Sequence, residues 1–145
     1  MNIIEIKASA KEKMSVCKMC RTCNGETCRG WTPGPGGKGS GSSFVRNVSK
    51  IREITLNMRT LHSDADVDCG VTLFNSKMKA PIFAAPIANV PVNFGSSVSE
   101  ADYLEALAKG CKEAGVLPFF GDGAAKEFFD LPLETMGRHD GYGIP

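Results

Sequence analysis

The sequence predicts an α/β fold built on parallel strands, and three observations carry that prediction. From Ile82 to Ile87 every residue is apolar, with no polar alternation, so neither face of this strand expects water. Continuous apolar strands of that kind belong to parallel sheets covered by helices. A loop over Asn89 to Val98 and then the clearest helix in the chain follow, which together make one βα unit. A second apolar run, Val116 to Phe120, comes directly after that helix. In such folds the loops that leave the strands build the site.

The chain is 145 residues long, which is one domain by length and enough for a real core. Its 17 basic and 16 acidic residues nearly cancel, so no overall field attracts nucleic acid or an anionic membrane. The apolar runs are far too short for a spanning helix, and the start carries no secretory signal pattern. Four of the six cysteines (Cys17, Cys20, Cys23 and Cys28) crowd into twelve residues, with Cys69 and Cys111 apart. That is too dense for a scattered disulfide framework and points to a reducing, cytoplasmic compartment.

In chain order, Met1 to Ser15 reads as a short helix with apolar surface from Ile3, Ile4 and Ile6. Cys17 to Cys28 is a cysteine knuckle. Gly34 to Gly41 is a glycine- and proline-rich loop that packs no core and forms no helix. Ser43 is a plausible N-cap for a helix through Phe44, Val48 and Ile51, which repeat at helical spacing. A strand-like piece, Ile54 to Leu61, precedes an acidic exposed loop at Asp64, Asp66 and Asp68.

Leu73 to Ala88 begins as a hairpin arm, with Asn75-Ser76 as turn chemistry between apolar runs. Ser99 and Asp102 form a capping box for the next helix, whose Leu104, Leu107, Ala108 and Cys111 line one face. Gly115 supplies its stop. Its roughly fifteen residues span about 22 Å, enough to cover a strand. In the Val116 to Phe120 strand, Pro118 removes a ladder donor and suggests an irregular or edge position. Gly121-Asp122-Gly123 then turns the chain toward a weaker helix near Phe128 to Met136.

Several segments resemble one known family in the same order. Leu73-Phe74-Asn75-Ser76-Lys77 through Ala84-Ala85-Pro86-Ile87-Ala88 is similar to the entry into the first strand of FMN-dependent α-hydroxy-acid oxidases and dehydrogenases. Leu56-Asn57-Met58-Arg59, Gly110-Cys111-Lys112-Glu113-Ala114-Gly115 and Gly121-Asp122-Gly123 agree collinearly. The cysteine segment and Gly36 to Phe44 resemble a cysteine-rich branch found mainly in anaerobic bacteria, rather than the glycolate and lactate oxidases. The resemblance implies a (β/α)₈ TIM barrel with FMN at the C-terminal mouth of the strands.

On that resemblance residues 1–70 are an N-terminal extension carrying the Cys cluster, the glycine-rich loop and a short helix. Residues 71–145 are the first two βα units, and Gly143-Ile144-Pro145 resembles the run-in to a third strand. The family's catalytic histidine, substrate arginine and flavin-facing lysine come from later strands, and neither His62 nor His139 matches a family position. No catalytic residue is carried over, so the chain by itself is expected to be inactive. The implied reaction is oxidation of a small 2-hydroxy acid to its 2-oxo acid. The implied partners are a complementary chain supplying the remaining strands, a homo-oligomer when complete, and no nucleic acid or membrane span.

The resemblance places Pro86, Ile87, Ala88 and Asn89 against the flavin at the end of the first strand, where small residues permit close approach. Plain core accounts for Ile82 to Ala85. Gly121 and Asp122 end the second strand, where a flavin contact and a simple Gly-Asp-Gly turn are both open. Cys17-x₂-Cys20-x₂-Cys23-x₄-Cys28 could hold Zn²⁺ or ligate an iron–sulfur cluster. Its last gap is one residue longer than the ferredoxin run, no proline follows Cys28, and zinc sites usually use two separated pairs. Lys18, Arg21 and Arg29 are expected to lower the thiol pKa values; the bland alternative is reduced thiols that bind nothing.

The glycine loop lacks a Walker ending and follows no strand, so a linker is the leading reading and an active-site flap the other. His62 and His139 read as solvated surface. The main rival to a flavin enzyme is a small metal- or cluster-binding protein that uses the βα region as scaffold.

Overall fold

The computed structural model describes residues 2–29 and 39–145. The glycine-rich loop lies largely outside them. The chain divides into two compact units, Met1–Ser63 with Pro91–Val98, and Asp64–Val90 with Ser99–Pro145.

The first unit carries helices α1 (Ile3–Lys13) and α2 (Ser42–Glu53). Asn2 caps α1 through a full capping box: its side chain accepts from Ile4 and Glu5 N–H, and Glu5 reaches back to the Asn2 N–H at 3.0 Å. Ile3, Ile4 and Ile6 are all exposed. Helix α2 begins at Gly41, whose φ of +63° suits glycine, and not at the expected Ser43, which lies inside the helix. Ile54 to Leu61 is exposed and forms no strand, because no neighbouring strand offers it backbone partners. Among the described residues of this unit only Gly25, Gly41 and Gly95 are buried.

The second unit opens with an antiparallel hairpin, β1 (Val71–Leu73) and β2 (Ser76–Met78). Its turn is Phe74-Asn75, one residue earlier than the sequence pattern suggested. Both residues have positive φ (+50° and +59°), the two-residue geometry that matches strand twist. Met78 is buried, and Lys79 N–H bonds the Gly115 carbonyl at 2.8 Å, which folds the hairpin against the end of the next helix.

Strand β3 (Phe83–Ala84) pairs in parallel with β4 (Leu117–Pro118), and helix α4 (Glu100–Ala114) forms the crossover. Parallel strands need such a connection, since a hairpin can join only antiparallel ones. Ser99 caps α4 by accepting from Asp102 N–H at 3.0 Å, while its hydroxyl donates to the Asp102 carboxylate at 2.7 Å. Gly115 ends α4 at φ +73°. Leu104, Ala108 and Phe120 form the core, with Tyr103, Leu107, Leu131 and Met136 packed around it. Phe83 and Phe119 meet edge to face at 5.3 Å across the strand pair.

The strand is shorter and wetter than its apolar run suggested. Ile82 is 61% exposed, and Ala85 and Pro86 are also exposed. Among the described residues β3 has a partner on one side only, so its outer edge and part of its surface stay open. Pro118, in contrast, stands between two neighbours and not at an edge. Phe119 N–H bonds Ala84 O, Ile144 N–H bonds Pro118 O, and Phe120 N–H bonds Ile144 O. Ile144 thus pairs in parallel with Phe119 in an isolated bridge. The missing proline donor faces the same side as the Phe120 N–H, where the pairing to this segment is the single bridge at Ile144. The described residues show a parallel α/β arrangement without barrel closure.

Within the Asn89 to Val98 loop lies a short helix, α3 (Val90–Phe94). Helix α5 (Glu127–Arg138) follows β4 and packs on α4. Pro132 lies in the middle of this helix and is buried. Glu105 of α4 accepts from His139 Nε2 at 2.7 Å and from Arg138 Nη2 at 3.2 Å. Among the described residues no helix is long and apolar enough to cross a membrane.

Two predictions follow from these helices. Ser99→Ala removes the α4 cap and should lower unfolding stability by about 1 kcal/mol in a urea titration. Glu105 is held below its ordinary carboxylate pKa of 4.5 by the hydrogen bond from His139 and then that from Arg138. A lowered folded pKa contributes stability above the unfolded value, lost as pH falls through the folded one. Glu105→Gln should therefore be less stable than the parent near neutral pH, with the difference closing in the acid range; a gap unchanged by acid would show that the carboxylate charge is irrelevant.

Candidate functional site

The C-terminal ends of β3 and β4 meet at a close backbone approach. Gly121 is buried, and a Cβ placed on it would fall 2.5 Å from the Ala88 nitrogen and 2.7 Å from the Ile87 carbonyl oxygen, with the Ile87 carbonyl carbon nearer still. Only a residue without Cβ lets the two strand ends come this close. Strand packing by itself therefore requires a glycine at this position. Asp122 beside it is exposed.

Ile87 and Ala88 are half-buried, whereas Pro86 and Asn89 are exposed. Asn89 takes a left-handed backbone (φ +57°), a conformation asparagine tolerates better than most residues. That bend aims two successive N–H groups at one carboxylate. Glu100 accepts from Asn89 N–H at 3.1 Å and from Val90 N–H at 2.7 Å. Charge-assisted bonds of this kind are among the stronger ones available to a backbone. Glu100 therefore sets the exit path of the chain from β3. The sequence reading missed it, because its position in the first turn of α4 already accounts for an acidic residue.

Ile87, Ala88 and Gly121 are thereby brought together. His139 is engaged with Glu105 between α4 and α5, and exposed His62 contacts only the neighbouring Ser63 carbonyl among its recorded hydrogen bonds. A separate cavity of about 390 Å³ lies by the hairpin, lined by Asp68, Gly70, Lys77, Met78, Lys79 and Gly115. It adjoins the start of β4, the end opposite to the one where βα folds build their sites.

Residues 30–131 match the family model described as FMN-dependent dehydrogenase. The chain belongs to the FMN-dependent dehydrogenase family. No curated protein and no solved structure matches it. The matched span takes in β3, α4, β4 and both strand ends, and it begins after the last of the four clustered cysteines. Membership implies FMN as cofactor. The C-terminal strand ends suit a flat, partly apolar group: Pro86, Ile87 and Ala88 are apolar and small or rigid, and Asn89 and Asp122 give a polar rim.

In this flavin-family chain all four clustered cysteines are free and line a single cavity of about 30 Å³ with Lys18, Met19, Asn24, Gly25 and Thr27. Their sulfurs are not drawn to ligand positions. Among the described residues no three His, Cys, Asp or Glu side chains stand together as a metal-holding group, Cys17, Cys20, Cys23 and Cys28 included. The thiols instead make weak contacts, Cys20 with Thr27 Oγ1 at 3.6 Å and Cys28 with the Gly25 carbonyl at 3.9 Å. The expected lowering of thiol pKa by Lys18, Arg21 and Arg29 is corrected for Cys23. Loss of solvation, then repulsion from Cys17, Cys28 and Cys20, push that thiol up, and the opposing cation is Lys7.

Glycine scanning separates the packing demands. Gly121→Ala should cost roughly 1–3 kcal/mol because its Cβ meets backbone that cannot step aside. Gly110→Ala, in an open stretch of α4 with nothing nearby, should instead stabilise by about 0.5–1 kcal/mol. Denaturant midpoints of the two variants measure both.

Proposed function

We propose that this chain forms the flavin-facing first part of an enzyme that oxidises a small 2-hydroxy acid, of the lactate or glycolate type, to its 2-oxo acid. The observation that carries the reading is the family match over residues 30–131, on a chain whose β3–α4–β4 order is that of successive parallel βα units. When bound, FMN supplies the acceptor for the hydride equivalent that leaves the substrate carbon. Pro86, Ile87 and Ala88 wall one side of the cofactor and keep water from it. Asn89 and Asp122 stand at the rim. Gly121 lets the two strand ends close beneath the ring, and Glu100 holds the bend at Asn89-Val90 in place.

His139 is paired with Glu105, and neither histidine matches a family position for the base that takes the substrate's hydroxyl proton. The base therefore comes from strands beyond Ile144, carried on a complementary chain or a longer form of this one. The open edge of β3 and the start of pairing at Ile144 are where such strands attach.

Purified chain together with the polypeptide that supplies those strands should retain FMN through gel filtration and reduce a dye when a 2-hydroxy acid is added. Ala88→Arg, which fills the wall, should lose the flavin. The chain alone should show no turnover. Flavin that is reduced by a nicotinamide donor and untouched by any 2-hydroxy acid would sink the substrate assignment while leaving the family intact.

A further inference from the structure

Among its described residues the first unit shows little of the apolar packing that normally holds a small fold together. Its helices α1 and α2 bury no side chain, and its only buried residues among those described are three glycines. The apolar core of the chain, from Met78 and Val90 to Leu117 and Phe120, lies wholly in the second unit. Small units without a sufficient core are usually held by disulfides or a structural metal. In this unit all four clustered cysteines are free.

The same unit builds a frame around those cysteines. Lys7 of α1 donates to the carbonyls of Cys20 and Arg21 at 3.3 and 3.1 Å. Phe44 of α2 lies where a Cβ on Gly25 would be, so the knuckle passes directly over that ring. Val16 N–H bonds the Phe94 carbonyl at 3.2 Å just before Cys17, and the Ser97 hydroxyl donates to the Lys13 carbonyl. Helices α1 and α2 thus both meet residues 17–28, a third segment ties the chain just before them, and all four thiols line the one cavity.

We infer that Cys17, Cys20, Cys23 and Cys28 bind a single Zn²⁺ ion, and that this ion supplies the cohesion the first unit does not draw from apolar packing. Four thiolates at about 2.3 Å from the metal stand about 3.8 Å from one another, so binding requires the four side chains that line this one cavity to turn toward a common point. The last gap, one residue longer than in the ferredoxin run, and the absence of a proline after Cys28 favour a single ion over an iron–sulfur cluster. The weak thiol contacts to Thr27 and Gly25 offer little resistance to that rotation. On binding, four thiols release four protons to solvent and four zinc–sulfur bonds form, leaving a complex of charge −2. No electron is transferred. Lys7, at the knuckle's own carbonyls, and the neighbouring Lys18, Arg21 and Arg29 offset that charge.

The inference is independent of the flavin reading, and its test reads metal and folding. The full-length chain, reduced and stripped with chelator, is titrated with Co²⁺ and then with Zn²⁺. Expected are a sulfur-to-cobalt charge-transfer band and the visible bands of a tetrahedral site, saturating at one Co²⁺ per chain and erased by Zn²⁺. Amide exchange in residues 3–28 and 42–53 should slow when Zn²⁺ is bound. Cys23→Ser should weaken binding by more than the roughly tenfold to hundredfold that loss of an outer partner costs. Cys23→His, which restores a ligand, should recover it, and Cys69→Ser should leave it unchanged. A chain with no cobalt spectrum, or with binding indifferent to Cys23→Ser, overturns the site. A brown species formed only with iron and sulfide overturns the single ion, and exchange unaltered by Zn²⁺ overturns its structural role.

Discussion

Parallel pairing of Phe83–Ala84 with Leu117–Pro118 is the constraint from which the second unit takes its form. Two strands running the same way require a chain that returns across the sheet, and α4 is that return. Its start and stop are set by local chemistry, the Ser99 cap and the left-handed Gly115, so the helix has the length the crossing needs. Its buried stripe then meets Phe120 on the strand it delivers. The hairpin is tied to the same helix end through Lys79 and Gly115.

That pairing also makes the candidate site. Once β3 and β4 lie side by side, their C-terminal ends come together at Ile87, Ala88 and Gly121, and the absence of a Cβ on Gly121 decides how close they come. Glu100 contributes from the first turn of α4 by gathering the Asn89 and Val90 N–H groups. One helix thus joins the strands, buries the core and shapes the exit from β3.

The two units rest on different physics. In Asp64–Val90 with Ser99–Pro145 apolar burial dominates, with Leu104 and Ala108 fully enclosed. In Met1–Ser63 with Pro91–Val98 the described residues offer caps, backbone bonds and a lysine on two carbonyls. Polar bonds of this kind contribute about 1 kcal/mol each after water is displaced, which is little against the entropy of ordering a chain. Among the described residues of that unit, four free thiols line one small cavity.

Local signals in the sequence were enough for α4 with its cap, face and stop, for the existence of the hairpin, for α1 and α2, and for the order of the βα units, because each depends on residues close along the chain. The segments that resemble the flavin family were likewise readable in order, and the family match agrees with them. What the sequence could not decide depends on neighbours. Whether Ile82 to Ile87 is buried depends on how many strands flank it. Pro118 looked like an edge residue until Ile144 bonded its carbonyl, and Ile54 to Leu61 had strand composition but no strand to pair with. Gly121 was ambiguous until Ile87 and Ala88 stood against it. Glu100 acquired its role only when the bend at Asn89 turned two N–H groups toward it, since a hydrogen bond across eleven residues is a fact of folding and not of spacing.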